Sequence, residues 1–257
     1  MAEGDSILRL ARRIHDGLAG ERVTVRTPGA RRPAGLPCAA IDGGLLESAE
    51  SRGKHLILHF ADGLALHSHL GMRGTWHLYA EGESWRRPAS QAWITLSTGR
   101  IDAVNFGGST MRIARESQLR RDPRLARLGP DLLADDFDVE DAIRRMRGVG
   151  PTAELGDALL DQTLVAGIGN IFKSEGCFAA RIDPRARLGS LSDPELGSVL
   201  DLTRELMLAA VESGRQPGSV YRRAARPCRR CGSAIRSGAQ GDSARVSYWC
   251  PSCQRRG

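Results

Sequence analysis

The chain has 257 residues, of which 41% are hydrophobic and 26% charged, with a formal net charge of +7. That is enough to bury one large or two modest cores, and it excludes disorder. With no run approaching about 18 apolar residues it excludes a membrane span, and the acidic start Met1-Ala2-Glu3-Gly4-Asp5 excludes a secretory signal. Of the 37 basic residues 35 are Arg, and residues 213–257 carry ten of them against one acid, Asp242, on a body (residues 1–212) of net −2, which points to a polyanionic partner or to a solvated basic tail.

In chain order, Asp5 or Ser6 caps a first helix. Ile7, Leu10, Ala11, Ile14 and Leu18 recur in it at spacings of three and four, and Gly20 stops it. Residues 27–37, rich in Pro, Gly and Arg, form a loop. Short apolar runs at 45–49, 55–60, 64–69, 76–79, 92–96 and 101–105 are separated by turn residues and predict the strands of a β-sandwich or barrel. Gly129-Pro130-Asp131 opens an acidic linker to about Asp138, which caps a helix over 139–147. Residues 153–165 carry Leu155, Leu159, Leu160 and Leu164. Gly167-Ile168-Gly169 makes a tight turn, Asn170 opens a helix to about Ala179, and Asp193-Pro194-Glu195 opens another to about Ser213.

Cys228, Cys231, Cys250 and Cys253 form two C-x2-C pairs 18 residues apart. Two such knuckles supply four thiolates at tetrahedral corners, the ligand set of a structural zinc site with no position left open for catalysis. Two disulfides are the alternative, and they require an oxidising compartment. The intervening residues read as a hairpin, with 234–236 and 246–249 as its arms and 237–243 as its turn. Cys38 and Cys177 have no such partner and read as buried thiols. His67 and His69, alternate residues on one strand face, read as structural.

With these elements in place the sequence resembles the formamidopyrimidine-DNA glycosylase / endonuclease VIII family, and its endonuclease VIII branch in particular. Ala2-Glu3-Gly4-Asp5 is similar to the Pro-Glu-Gly-[Asp/Pro] start of that branch. Arg52-Gly53-Lys54-His55 looks like its catalytic-lysine hairpin, and Ser68-His69-Leu70-Gly71-Met72-Arg73-Gly74 like its intercalation loop. Leu128-Gly129-Pro130-Asp131 is similar to its interdomain segment, and Leu160-Asp161-Gln162 through Gly167-Ile168-Gly169-Asn170 to its helix–two-turn–helix. The four-Cys hairpin with Arg245 is similar to its zinc finger. The short stretch 214–227, too short for a long purine-reading loop, also fits that branch.

The resemblance implies an α+β fold: a catalytic β-sandwich with a leading helix (1–130), a helix–two-turn–helix DNA-binding domain (131–221) and a four-cysteine zinc finger (222–257). It implies a bifunctional repair enzyme that flips an oxidised base, a pyrimidine in this branch, out of damaged DNA. The enzyme then cuts the glycosidic bond and breaks the strand by β- and δ-elimination. The nucleophile is the α-amine of Ala2, exposed when Met1 is removed. An α-amine has a pKa of about 7.7–8.0 against about 10.4 for a Lys side chain, so a useful fraction is neutral. Alanine stands where the family usually has proline. Its primary amine gives an imine that must be protonated to draw electrons, so slower elimination is expected. Glu3 is the implied general acid and base. Lys54 serves as a proton donor or phosphate contact and Arg245 as the finger arginine at the lesion phosphates. Gly71, Met72, Arg73, Arg127 and Asn170 are the implied DNA contacts, with Met72 as the wedge that fills the void of the flipped base. Asn170 and its neighbouring backbone amides, at a helix start, suit a phosphate. The family's lysine before the helix–two-turn–helix Asp has no counterpart at Gly156 or Ala158.

Duplex or single-stranded damaged DNA is the expected partner, with zinc as a structural cofactor and no membrane. A monomer at the bacterial nucleoid, in the cytoplasm, is expected. Two other readings stay open at this level. One is a binding-only protein for abasic or damaged sites with a crippled Ala2. The other is a zinc-ribbon protein of RNA or the ribosome.

Overall fold

Helix α1 spans Gly4–Leu18. Its spacing turns Ile7, Leu10, Ala11, Ile14 and Leu18 to one side, and all five are buried. The helix begins before the expected cap, so Asp5 lies in its first turn, and the Asp5 carboxylate accepts from Gln216 Nε2 at 3.1 Å. The computed structural model describes residues 2–29, 33–241 and 244–255. The chain divides into two units, one of Met1–Ala2 with Ser6–Ala126 and one of Glu3–Asp5 with Arg127–Gly257. Among the described residues no helix is long and apolar enough to cross a membrane.

The first unit is the expected β-sandwich. Its strands are β1 (Thr24–Arg26), β2 (Leu46–Arg52), β3 (His55–Phe60), β4 (Leu64–His69), β5 (Trp76–Ala80), β6 (Ile94–Ser97), β7 (Ile101–Asn105) and β8 (Thr110–Arg115). They pair antiparallel into two four-stranded sheets, β1-β6-β7-β5 and β2-β3-β4-β8. Alternation sends Leu56, Leu58, Phe60 and Leu66 of one sheet and Ile94, Leu96 and Ala103 of the other into a core shared with Ile7, Ile14 and Leu18. Strands β1 and β8 escape the sequence pattern. The first has three residues, and the second sets Met111 and Ile113 against Arg112 and Arg115. The opposite face of the second sheet carries His55, His59 and His67 and lies near two short helices, α2 (Glu116–Arg120) and α3 (Pro123–Ala126).

The second unit is helical with a terminal hairpin. Asp138 caps α4 (Val139–Gly148) as expected, its Oδ1 accepting from the Asp141 N–H at 2.8 Å. Helix α5 is limited to Leu155–Leu160, and α6 covers Asn170–Ala179. Between them Gln162 staples the two turns. Its Nε2 donates to the carbonyls of Leu160 (2.9 Å) and Ile168 (3.0 Å), while its Oε1 accepts from the Gly167 N–H (3.1 Å). Helix α7 spans Asp193–Ser213, and its cap is Ser192 rather than Asp193: the Ser192 N–H donates to Glu195 at 2.8 Å, half of a capping box. Strands β9 (Arg236–Gln240) and β10 (Arg245–Trp249) form the hairpin. Pairing from Arg245↔Gln240 to Trp249↔Arg236 extends the first arm into residues the sequence assigns to the turn. Asp242 and Ser243 of that turn lie outside the described residues, as does Met1.

Candidate active site

Glu3 is fully buried, and its carboxylate sits on the N-terminus of α6. Oε1 accepts from the Ile171 N–H at 2.9 Å, and Oε2 accepts from Gly169 at 3.1 Å and Phe172 at 3.2 Å. Unpaired amides and the helix dipole favour an anion there. A side chain at 169 is impossible, since a Cβ would lie 2.3 Å from the Glu3 carboxyl carbon. The amides that the sequence offers to a phosphate are therefore occupied by an internal carboxylate. Asn170 is also committed in part: its Nδ2 donates to the Val246 carbonyl at 2.8 Å, while its buried Oδ1 has no hydrogen-bond partner among the described residues.

Lys173, the residue sequence reasoning missed, lies one turn into α6 with no exposed surface. Its Nζ donates to Ser247 Oγ at 2.6 Å, and Ser247 Oγ donates to Gln240 Oε1. Gln240 Nε2 continues the chain to Glu154 (2.9 Å) and the Pro184 carbonyl (2.8 Å). Burial first, with Arg245 adding, pushes the Lys173 ammonium down to about 8, against the opposing pull of Asp157 and Glu3. The available signal was compositional: one of two lysines in a chain of 35 arginines, and lysine, unlike arginine, can shed its proton when buried. Arg245 itself is exposed at the start of β10, and Arg127 is exposed at the start of the second unit's main segment.

In the sandwich unit, Ala2 is half-buried against the core and lines a trough of about 600 Å³ that Met72 and Arg73 also line. The loop bearing them closes through Gly74 N–H to the Leu70 carbonyl at 3.0 Å. Gly71 takes a left-handed φ of +59°, which L side chains rarely adopt. This turn lifts Met72 to 68% exposure, an apolar tip in water, as a wedge requires. Lys54 is half-buried in the two-residue turn between β2 and β3. Its charge is felt at His69, whose ionisation is held below the usual imidazole range by burial first and then by Lys54 and Arg124. His69 Nδ1 lies 2.6 Å from Ser109 Oγ. His55 Nδ1 lies 2.8 Å from His67 Nε2.

The four finger cysteines converge, with all four Sγ atoms within 4.8 Å of one another. Cys228–Cys253 is 4.0 Å and Cys231–Cys250 is 3.5 Å, too long for disulfides and close to the edge of about 3.8 Å expected for a tetrahedron with Zn–S of about 2.3 Å. Burial and the neighbouring thiols push Cys253 up to about 12, while hydrogen bonds from Ser233 draw Cys231 down to about 6. Four thiols this close ionise together only around a cation, so the donor set fits a divalent soft metal.

Comparison with known proteins accounts for nearly the whole chain. A family model described as the formamidopyrimidine-DNA glycosylase N-terminal domain matches residues 1–109, and one described as the formamidopyrimidine-DNA glycosylase H2TH domain matches residues 128–221. The chain is 39% identical over 265 residues to a probable endonuclease 8 2 of Streptomyces coelicolor, covering 99% of this chain and 94% of the relative. It is 33% identical over 269 residues to the DNA-(apurinic or apyrimidinic site) lyase Nei2 of Mycolicibacterium smegmatis, with 99% of each chain covered. The Lactococcus lactis formamidopyrimidine-DNA glycosylase, crystallised non-covalently bound to DNA containing an abasic site, shares the fold. Its TM-score is 0.83 at 22% identity, over 98% of this chain and 99% of that one.

Proposed function

Because this chain belongs to the formamidopyrimidine-DNA glycosylase / endonuclease VIII family, we propose that it removes oxidised bases, pyrimidines foremost, from DNA and cleaves the strand at the abasic site through the amine of Ala2. The observation that carries this reading is the Glu3 carboxylate, fully buried and fixed by three backbone N–H groups immediately after Ala2 in the chain. A general acid and base must be held at the reacting sugar, and a carboxylate clamped at a helix N-terminus is held without side-chain freedom.

In this mechanism the neutral Ala2 amine attacks C1′, and the base leaves with the glycosidic electron pair. The proton released by the attacking amine passes to the Glu3 carboxylate, which returns it to O4′ as the sugar ring opens to a Schiff base. Loss of the C2′ proton expels the 3′ phosphate, and a second elimination expels the 5′ phosphate. Lys54, Gly71, Met72, Arg73, Arg127, Asn170 and Arg245 hold the DNA in this reading. Segments 1–130, 131–221 and 222–257 act as catalytic sandwich, helix–two-turn–helix and finger of a monomer working on cytoplasmic DNA. Zinc is the metal proposed for Cys228, Cys231, Cys250 and Cys253, and when bound it cross-links the hairpin and takes no part in the reaction.

Borohydride reduction with abasic-site DNA tests the reading. Met1-free protein is expected to form a covalent adduct that maps to Ala2. Glu3→Gln sets an amide N–H against the α6 donors and removes the acid, so base excision is expected to fall about 10²–10⁴-fold. Absence of a trapped adduct, with lesion binding intact, would favour the binding-only reading.

A further inference from the structure

Ala2, Ser6, Arg9 and Arg13 recur at spacings of three and four, so the residues from Ser6 onward run along one side of α1, and all four line the trough beside Met72. Arg73 and Arg87 also line the trough. No acidic residue among the described residues lines it. Among the described residues, Arg9, Arg13, Arg73 and Arg87 form no ion pair, and the Arg87 guanidinium lies 5.8 Å from the Phe106 ring centre. His77, also lining the trough, shows the convergence: its ionisation is held down by burial, then by the adjacent Arg86 and Arg87 and by Arg13 of α1. Residues 1–212 carry a net charge of −2, so four unpaired guanidiniums around one trough are not a consequence of general basicity. Their mutual repulsion is relieved by an anionic ligand. From Ser6 to Arg13 the helix advances about 10 Å at the helical rise. One DNA strand advances about 3.4 Å per nucleotide along the duplex axis, so this length spans about three nucleotides.

We propose that the trough is a phosphate track, in which Arg9, Arg13 and Arg87 hold the backbone of the DNA strand flanking the damaged nucleotide. None of the three is among the contacts the family resemblance implies. The proposal rests on the reading of the protein as a DNA lyase, and the position of Ala2 at one end of the track fixes which part of the strand it holds.

The test is Kd for a duplex containing a stable abasic-site analogue, measured from about 50 to about 200 mM salt. Replacing Arg9, Arg13 and Arg87 together by Gln is expected to reduce the slope of log K against log salt by about three, one for each lost phosphate contact. The loss in turnover is expected in KM rather than kcat. The triple Lys variant keeps the charge and is expected to restore most of the slope. An unchanged slope and affinity in the Gln variant, with wild-type protein still trapped through Ala2, overturns the track alone. Wild-type protein that shows the arginine-dependent slope but no trapped adduct overturns the lyase reading and leaves the track standing. Wild-type protein that does not bind lesion DNA overturns both.

Discussion

A wholly buried ammonium is costly unless its surroundings replace water, and among the described residues Lys173 has a single hydroxyl, Ser247 Oγ, as its hydrogen-bond acceptor. Its pKa is lowered to about 8 in the folded chain, so below that pH it is charged in both states and the cost is present in full. As pH rises from about 8 toward the ordinary Lys value near 10.4, the folded form sheds the proton first and stability is gained. Lys173→Met removes the ammonium and leaves Ser247 its bond to Gln240. The variant is expected to keep or raise its unfolding temperature at pH 7, an advantage over wild type that shrinks toward pH 10. Strand cleavage is expected to fall about 10- to 100-fold as β10, which carries Arg245, loses its anchor. Reduced thermal stability with full cleavage activity would show that the amine serves packing alone.

Helix α6 is the element that organises the second unit. Its first amides hold Glu3, and Asn170 at its start and Lys173 one turn on hold β10. Its Glu175 carboxylate accepts from the N–H groups of Ser219 (2.9 Å), Val220 (2.9 Å) and Tyr221 (2.8 Å), fixing the entry to the finger. Phe178, near its end, joins Val220, Cys228, Ile235 and Cys250 in a small core, and Arg230 lies 4.2 Å over the Phe178 ring. Five buried side chains are a small core for a hairpin of this length, and a metal on the four cysteines would add to it. Purified protein is expected to contain one zinc per chain by metal analysis. Stripping it with a chelator, or Cys228→Ser, is expected to weaken lesion-DNA binding by about tenfold or more, with re-addition of zinc restoring the stripped protein but not the variant.

On the scale of the whole molecule, the second sheet gives stability a pH optimum. His59 is bracketed by Glu50 at 3.2 Å and Glu116 at 2.7 Å, and its pKa is raised to about 9, mainly by the hydrogen bond to Glu50 and against burial. A raised imidazole pKa stabilises fully below about 6.5, and the gain disappears as pH rises through 9. His55 and His67 are pushed the other way, to about 3 and about 4, chiefly by burial. They are neutral in the fold, so stability is lost as pH falls below 6.5 and the unfolded chain takes up protons that the folded one refuses. Denaturant unfolding of the Lys173→Met variant, which lacks the opposing gain above pH 8, is therefore expected to show greatest stability near pH 7. His59→Gln is expected to lower it by about 1–2 kcal/mol at pH 7, after allowance for solvent screening, and by little above pH 10. An equal loss at both pH values would place the role of His59 in packing rather than charge.

Local regularities were legible in the chain alone. The three-and-four spacing from Ile7 to Leu18 is satisfied by a single helix face, the apolar runs at 55–60, 64–69 and 101–105 are strands to the residue, and two C-x2-C knuckles specify a four-thiol cluster. The family was legible as well, because its short motifs kept their order. What folding decided is which groups meet across long separations: Glu3 with the amides of 169–172, Lys173 with Ser247, and His55 with His67. Sequence assigned the α6 amides to a phosphate because a helix start has unpaired donors, but it could not show that a carboxylate 166 residues away already fills them. Spacing along a helix or strand is fixed by backbone geometry, whereas pairing between distant residues depends on how separate elements pack, and the same packing sets the burial behind each shifted pKa. The basic charge divides in the same way: the +9 of the tail is read by counting, while the unpaired arginines of the sandwich trough come together only when α1 and the loops around Arg73 and Arg87 fold against one another.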